Sequence, residues 1–328
     1  MSKKNKALGI GNAIVDAVCK VDENFLKSHN LQKGTMKLIN EDELKKLQNE
    51  VKPSEFIAGG SVANSIVGLS SFGNQVYFIG KLNNDLFGKK YFENLMKENV
   101  GFNFDNETYK DSTGICFVFI TPDGERTMCT YLGISNLLSS DDLDKSAIRD
   151  SQYLFLEGYL VASESALEAC FEASKVAKAS GTKIAISLSA EAIINAFRDQ
   201  LNSLIKLGCD ILFCNESEAR AFSQCEDVFE AEKFLREVSS QNFITLGKEG
   251  SMIWNGNKTE IIKGFEAKAI DTNGAGDIFA GSVLHKICKG KDLKTAAKFG
   301  CYAASKQVEK FGPRLTESEY RKIKEEFS

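Results

Sequence analysis

Tyr153-Leu-Phe-Leu156, the stretch Glu164–Ser180 and Lys183-Ile-Ala-Ile-Ser-Leu188 follow one another along the chain. The first and last runs are almost wholly apolar, as strands buried on both faces must be, and the segment between them spaces its apolar residues at helical period. Strand, helix, strand at this spacing is a parallel crossover. The pattern continues through the helical segment Ile193–Leu207 to Ile211–Cys214, then through Ala231–Val238 to Phe243–Leu246. Nearer the start, Ala7–Ile14, Glu55–Ala58 and Val76–Lys81 read as strands and Phe87–Asn99 as a helix. The expected fold is α/β: a doubly wound, mostly parallel central sheet flanked by helices on both faces.

Two regions break the rhythm. Val15–Phe56 holds only short strand and helix pieces with many lysines, and Gly114–Tyr131 holds two β-rich runs, Gly114–Thr121 and Glu125–Tyr131. Between those runs Thr121-Pro-Asp-Gly124 places Pro at the second turn position and Gly where a left-handed conformation is needed. A hairpin must bury one face, so the two regions are expected to pair as a small β-rich lid, about residues 15–56 and 114–131 within a single domain of residues 1–328. A length of 328 residues allows a large core without staples.

Composition narrows the function. Acidic residues outnumber basic ones by four, which argues against a nucleic-acid partner. Nine cysteines without a C-x-x-C pair give neither a disulfide framework nor a zinc site, and two distant histidines leave little for a triad. Met1–Lys6 is polar and leads straight into a strand-like run, and no apolar run is long enough for a bilayer. The expected setting is the cytoplasm, with no membrane partner.

Asp271-Thr-Asn-Gly-Ala-Gly-Asp277 is the richest motif. Gly274, Ala275 and Gly276 are nearly free of side chain and lead into the helical run Ile278–Ile287. A helix N-terminus with open backbone N–H groups attracts anions. Asp277 in its first turn could take a proton from an alcohol while the amides stabilise a moving phosphoryl group. The same residues would serve equally as a helix cap with packing glycines. Ala58-Gly59-Gly60-Ser-Val-Ala-Asn64 is a second glycine-rich junction, where Asn64 could hydrogen-bond sugar hydroxyls or Ser61 could simply cap a helix. Gly9-Ile-Gly11-Asn-Ala-Ile14 lacks the third glycine of a dinucleotide fingerprint, and no G-x-x-x-x-G-K-[ST] occurs, so neither a Rossmann nor a P-loop site is expected. Asp16 could bind a diol or close a turn.

Together these motifs resemble the ribokinase-like (PfkB) carbohydrate and nucleoside kinase family over nearly the whole chain. Asp271–Asp277 is similar to its C-terminal signature and Gly59–Asn64 to its N-terminal one. Asn215-Glu-Ser-Glu218 resembles its N-x-x-E motif, and Thr245-Leu-Gly247-Lys-Glu-Gly250 its nucleotide loop. Within the family the resemblance is closest to the adenosine kinase branch: Gly11-Asn12-Ala-Ile-Val-Asp16, the long insertion from Val21, Glu157-Gly-Tyr159, Asn273 and Pro122-Asp-Gly-Glu-Arg-Thr-Met128 carry it.

The resemblance implies an ATP-dependent kinase acting on the 5′-hydroxyl of adenosine or a related nucleoside. Asp277 is then the general base, with Gly274, Ala275 and Gly276 as anion hole and Arg126 closing onto the γ-phosphate. Asn12, Asp16, Gly59, Gly60, Asn64 and Asn273 would hold the ribose, and Tyr159 would stack on the base. Thr245, Gly247, Gly250, Asp271, Thr272 and Asn215 would serve ATP. Asn215 and Glu218 would organise Mg²⁺ through water, and a monovalent cation is a further candidate. The assembly is expected to be a monomer or homodimer. Two rivals remain: a kinase of ribose, fructose or another small sugar, and a binding protein that kept the cleft but lost catalysis.

Overall fold

The structure is a computed structural model describing residues 3–105 and 107–327, so the polar start Met1–Lys6 is described only from Lys3. In chain order the strands are β1 (Asn5–Ile10), β2 (Ile14–Lys20), β3 (Met36–Leu38), β4 (Glu55–Ala58), β5 (Val76–Ile79), β6 (Val100–Gly101), β7 (Gly114–Ile120), β8 (Arg126–Tyr131), β9 (Ser151–Glu157), β10 (Lys183–Ser187), β11 (Cys209–Asn215), β12 (Ser239–Thr245), β13 (Gly250–Trp254) and β14 (Thr259–Lys263). The large sheet has nine strands in the order β14-β13-β12-β11-β10-β9-β1-β5-β6. Pairing is parallel from β12 to β6, with β13 and β14 antiparallel at one edge.

Side chains that alternate along a strand fall on opposite faces, and here both faces are covered. Leu154 and Leu156 join Leu8, Ile10, Ile184 and Ile186 beneath the helices Glu164–Ala179 and Glu191–Lys206. Tyr153 and Phe155 join Ala185, Ile211, Phe213 and Phe243 beneath Ser61–Ser71 and Ala275–Cys288. Each fully buried Leu, Ile or Phe contributes roughly 1.5–3 kcal/mol, so the central strands hold the domain together. Strand order runs one way from β1 to β6 and the other way from β9 to β12. The reversal, between β1 and β9, opens a crevice at the strands' carboxyl ends.

The small sheet, β3-β8-β7-β2-β4, joins the two regions that broke the sequence rhythm. β2 and β7 pair in parallel from Ile14↔Gly114 to Lys20↔Ile120. The β7–β8 turn has Gly124 at φ +85°, with Gly124 N–H donating to Thr121 O at 2.8 Å. Ala17, Cys19, Phe117, Phe119 and Cys129 bury this sheet's inner face against Leu26, Leu44 and Leu47 of the helices Glu23–Ser28 and Glu41–Glu50.

The structure corrects three readings. Ala7–Ile14, expected as one strand, breaks at Gly11-Asn12-Ala13, and β2 leaves for the small sheet. A Cβ on Gly11 would meet Glu157 Oε2 at 2.4 Å, so the break is shaped by the buried carboxylate beside it. The stretch after Thr245 also contains edge strands β13 and β14, beyond the nucleotide loop expected there. The helix Glu191–Lys206 starts earlier than expected and kinks at Phe197 (φ −134°, ψ 35°). Among the described residues all nine cysteines are unpaired, and no helix is long and apolar enough to cross a membrane.

Candidate active site

The helix Ala275–Cys288 begins at Gly274, whose φ of +75° suits glycine, and no side chain caps it. Its first-turn amides therefore keep the positive end of the helix dipole. Asp277 sits in that turn, half-buried. Ser61 Oγ donates to Asp277 Oδ1 at 2.7 Å and Asn64 Nδ2 to Asp277 Oδ2 at 2.8 Å. Both donors come from the helix Ser61–Ser71, which can approach because a Cβ on Gly281 would lie 2.4 Å from Ser65 O. Burial pushes Asp277 up to about 6, against the pull of Asn64, Ser61 and the Arg314 charge. A carboxylate so poised is ionised at neutral pH yet basic enough to take an alcohol proton.

Around the crevice, Asn12 follows β1 and Glu157 ends β9. Glu157 Oε1 accepts from Asn12 Nδ2 at 3.0 Å and from Asn12 N–H at 3.3 Å, while Oε2 accepts from Val62 N–H at 3.1 Å. Burial nevertheless pushes this carboxyl up to about 7. Gly60, at φ +95°, brings the glycine-rich turn so close that a Cβ there would lie 2.3 Å from Asn12 O. Gly59 abuts Asp16, whose side chain has no hydrogen-bond partner among the described residues. Burial pushes Asp16 up to about 7, opposed by Arg314 and Arg126. Tyr159 lies half-buried in the short helical turn Gly158–Ala162, its phenol pushed up by burial and by Glu157, Asp277 and Glu218.

Two cavities meet at the helix start. One of about 640 Å³ is lined by Thr245, Gly247, Gly250, Thr272, Ala275 and Gly276 among others. A smaller one of about 90 Å³ is lined by Ser61, Asn215, Glu218, Gly276 and Asp277. Gly276 lies on both walls, and a Cβ there would meet nothing within 4 Å, so its backbone is open to a ligand. Asn215 and Glu218 form a reciprocal cap on the helix Glu216–Ser223: Asn215 Oδ1 accepts from Glu218 N–H at 2.9 Å, and Asn215 N–H donates to Glu218 Oε2 at 3.0 Å. Burial pushes Glu218 up to about 7, with Asp277 adding to the rise. Asn215 and Glu218 put oxygen donors on one wall of this small polar cavity. Mg²⁺ fits this donor set through its own water shell.

Arg126 Nη2 pairs with Asp271 Oδ2 at 2.5 Å, joining the small sheet to the signature loop. Asp271 also accepts from Gly312 N–H at 2.8 Å and Asn273 N–H at 3.0 Å. Asn273 thus contributes backbone to the loop. Two residues of the site escaped sequence reasoning. Glu157 carried a signal, a lone acid closing the apolar run Tyr153–Leu156. Arg314 carried none: it follows a Gly-Pro pair in a loop, yet its Nε donates to Asn64 Oδ1 at 2.8 Å and its Nη1 to Asn94 Oδ1 at 2.7 Å.

Residues 32–319 match the pfkB family carbohydrate kinases. The chain is 26% identical to adenosine kinase 2 of Arabidopsis thaliana over 93% of its length and 94% of the relative's. It is 28% identical to the ribokinase of Haemophilus influenzae over 84% of this chain and 91% of that one. The crystal structure of adenosine kinase from Sinorhizobium meliloti superimposes with a TM-score of 0.92 at 31% identity, covering 98% of this chain and 99% of that one. With an anion-ready helix start, a poised carboxylate and a nucleotide-sized cavity in one crevice, the chain belongs to the pfkB family of carbohydrate kinases and is an ATP-dependent phosphotransferase with an alcohol acceptor.

Proposed function

We propose that this kinase transfers the γ-phosphoryl group of ATP to the 5′-hydroxyl of adenosine or a related nucleoside. The observation that carries the chemistry is Asp277, held by Ser61 and Asn64 at a helix N-terminus shared by two cavities. Asp277 removes the hydroxyl proton, and the backbone of Gly274, Ala275 and Gly276 stabilises charge on the phosphoryl group. ATP occupies the larger cavity against Thr245, Gly247, Gly250 and Thr272. Asn215 and Glu218 orient the water shell of Mg²⁺, which when bound neutralises phosphate charge. Asn12, Asp16, Gly59, Gly60 and Asn64 hold the ribose, and Tyr159 stacks on the base. The small sheet acts as a lid, and Arg126 leaves Asp271 for the γ-phosphate when ATP offers it a stronger anion.

A nucleoside is favoured over a free sugar by the long insertion between Val15 and Phe56, by Tyr159, and by the 31% identity to a solved adenosine kinase. The ribokinase relative at 28% identity supports the second reading, a kinase of ribose or another small sugar. ADP release measured against adenosine, inosine, guanosine, ribose and fructose decides between them. Highest kcat/KM with adenosine or another nucleoside is expected. Preference for ribose or fructose would replace the nucleoside reading with the sugar one.

A further inference from the structure

We infer that Arg314 is a positioning residue, which locks the side-chain amide of Asn64 in the one orientation that donates a hydrogen bond to the catalytic carboxylate of Asp277. The inference rests on Asp277 being the general base, as proposed above.

The orientation follows from valence. A guanidinium has donors only, and an ionised carboxylate has acceptors only. Asn64 lies between the two: Arg314 Nε approaches one side of its amide at 2.8 Å, and Asp277 Oδ2 the other at 2.8 Å. The oxygen must face Arg314 and the NH₂ must face Asp277. A flipped amide would set NH against the guanidinium and oxygen against the carboxylate, two repulsions within a partly buried site. Arg314 is itself fixed by Asn94 Oδ1 at 2.7 Å, on the helix Leu86–Lys97. Its Nη2 is buried without a hydrogen-bond partner among the described residues.

The charges around Asp277 make this lock useful. Carboxyls of Asp16, Glu157 and Glu218 and the phenols of Tyr159 and Tyr320 all lie near enough to interact with it. Each carboxylate opposes its ionisation. Ser61 Oγ, Asn64 Nδ2 and the Arg314 charge favour it. Arg314 therefore acts on Asp277 twice, through space and through Asn64. It also opposes the burial of Asp16, together with Arg126.

The test is the pH dependence of kcat/KM with the preferred acceptor from the substrate screen, for wild type, Arg314→Met, Arg314→Lys and Asn94→Ala. The acid limb of Arg314→Met should move upward by about one pH unit, the low end for loss of a neighbouring opposite charge. Its rate deficit should be several-fold at pH 6 and shrink by pH 8.5. Arg314→Lys should restore most of the limb, because it keeps a donor and a charge. Asn94→Ala should leave the limb in place, since Arg314 keeps its bond to Asn64. If Arg314→Met does not fold, Arg314→Gln supplies the same information: it also removes the guanidinium charge beside Asp277 and should raise the limb. A limb in Arg314→Met, or in Arg314→Gln in its place, that coincides with wild type, with any deficit uniform across pH, would overturn the inference. Failure of the underlying reading looks different: Asp277→Asn would then stay active, whatever Arg314 does.

Discussion

Asn64 and Asp277, 213 residues apart in sequence, meet at 2.8 Å where two helices cross closely enough to exclude a Cβ at Gly281. The proposed base is thus held by a helix other than its own. Replacing Asp277 with Asn keeps its size and removes its basicity, which typically contributes ~10²–10⁴-fold. A kcat loss of that order is expected in steady-state assays, with acceptor Kd changed little. Retention of more than half the wild-type kcat would remove Asp277 from its role.

The pH profile carries a sign. Burial holds Asp277 up to about 6, and the base works only when deprotonated. Below pH 6, kcat/KM should fall about tenfold per unit. A rate that is level down to pH 5 would contradict this.

Arg126 is paired with Asp271. Arg126→Ala should lower kcat while leaving adenosine Kd nearly unchanged. Arg126→Lys should recover only part of the rate, because an ammonium cannot copy a planar fork. Amide hydrogen exchange should show Ile14–Lys20 and Gly114–Tyr131 becoming protected together on adenosine binding, as strands of one sheet. Protection of one alone would argue against lid closure as a unit.

Tyr159→Ala tests the base-stacking role. Adenosine binding should weaken by roughly 1–3 kcal/mol, the range seen for base–aromatic stacking. Ribose, which has no flat face, should lose much less in parallel calorimetric titrations. Equal losses would mark Tyr159 as packing.

His285 makes a stability prediction away from the site. It is buried, accepts from Asn74 Nδ2 at 2.7 Å when neutral, and packs at a tilt against the rings of Phe72 and Phe299. Burial, aided by Lys286, Lys289 and Lys324, pushes it down to about 4. The unfolded chain takes up this proton near pH 6.5 and the folded chain only near 4, so stability drains away as pH falls between them. Relative to His285→Gln, wild-type Tm should drop progressively over that interval. Parallel Tm curves for the two proteins would show that His285 is not held neutral.

The sequence reading succeeded where one physical cause dominated. Tyr153–Leu156 and Ile211–Cys214 are legible because burial on both faces demands unbroken apolar runs. The crossing of Ser61–Ser71 with Ala275–Cys288 was not legible, because Gly281, where a Cβ would lie 2.4 Å from Ser65 O, carries no sign of which helix it meets. Ala7–Ile14 misled because apolar residues stand on both sides of the break at Gly11-Asn12, and the cause of the break, Glu157, lies on another strand. Arg314 was invisible because its partners, Asn64 and Asn94, are assembled only by the tertiary fold.

Strand β1 begins the sheet in sequence but lies inside it, two strands from one edge, with Ala7–Ile10 on β5 and Asn5–Ile10 on β9. During synthesis its second neighbour does not exist until residues 151–157 have emerged. Until then one edge of an apolar strand stays open, and only long-range closure can cover it. Nascent chains halted before Ser151 should therefore demand chaperone capture or aggregate, whereas chains extending past Glu157 can close that edge of β1 in one step.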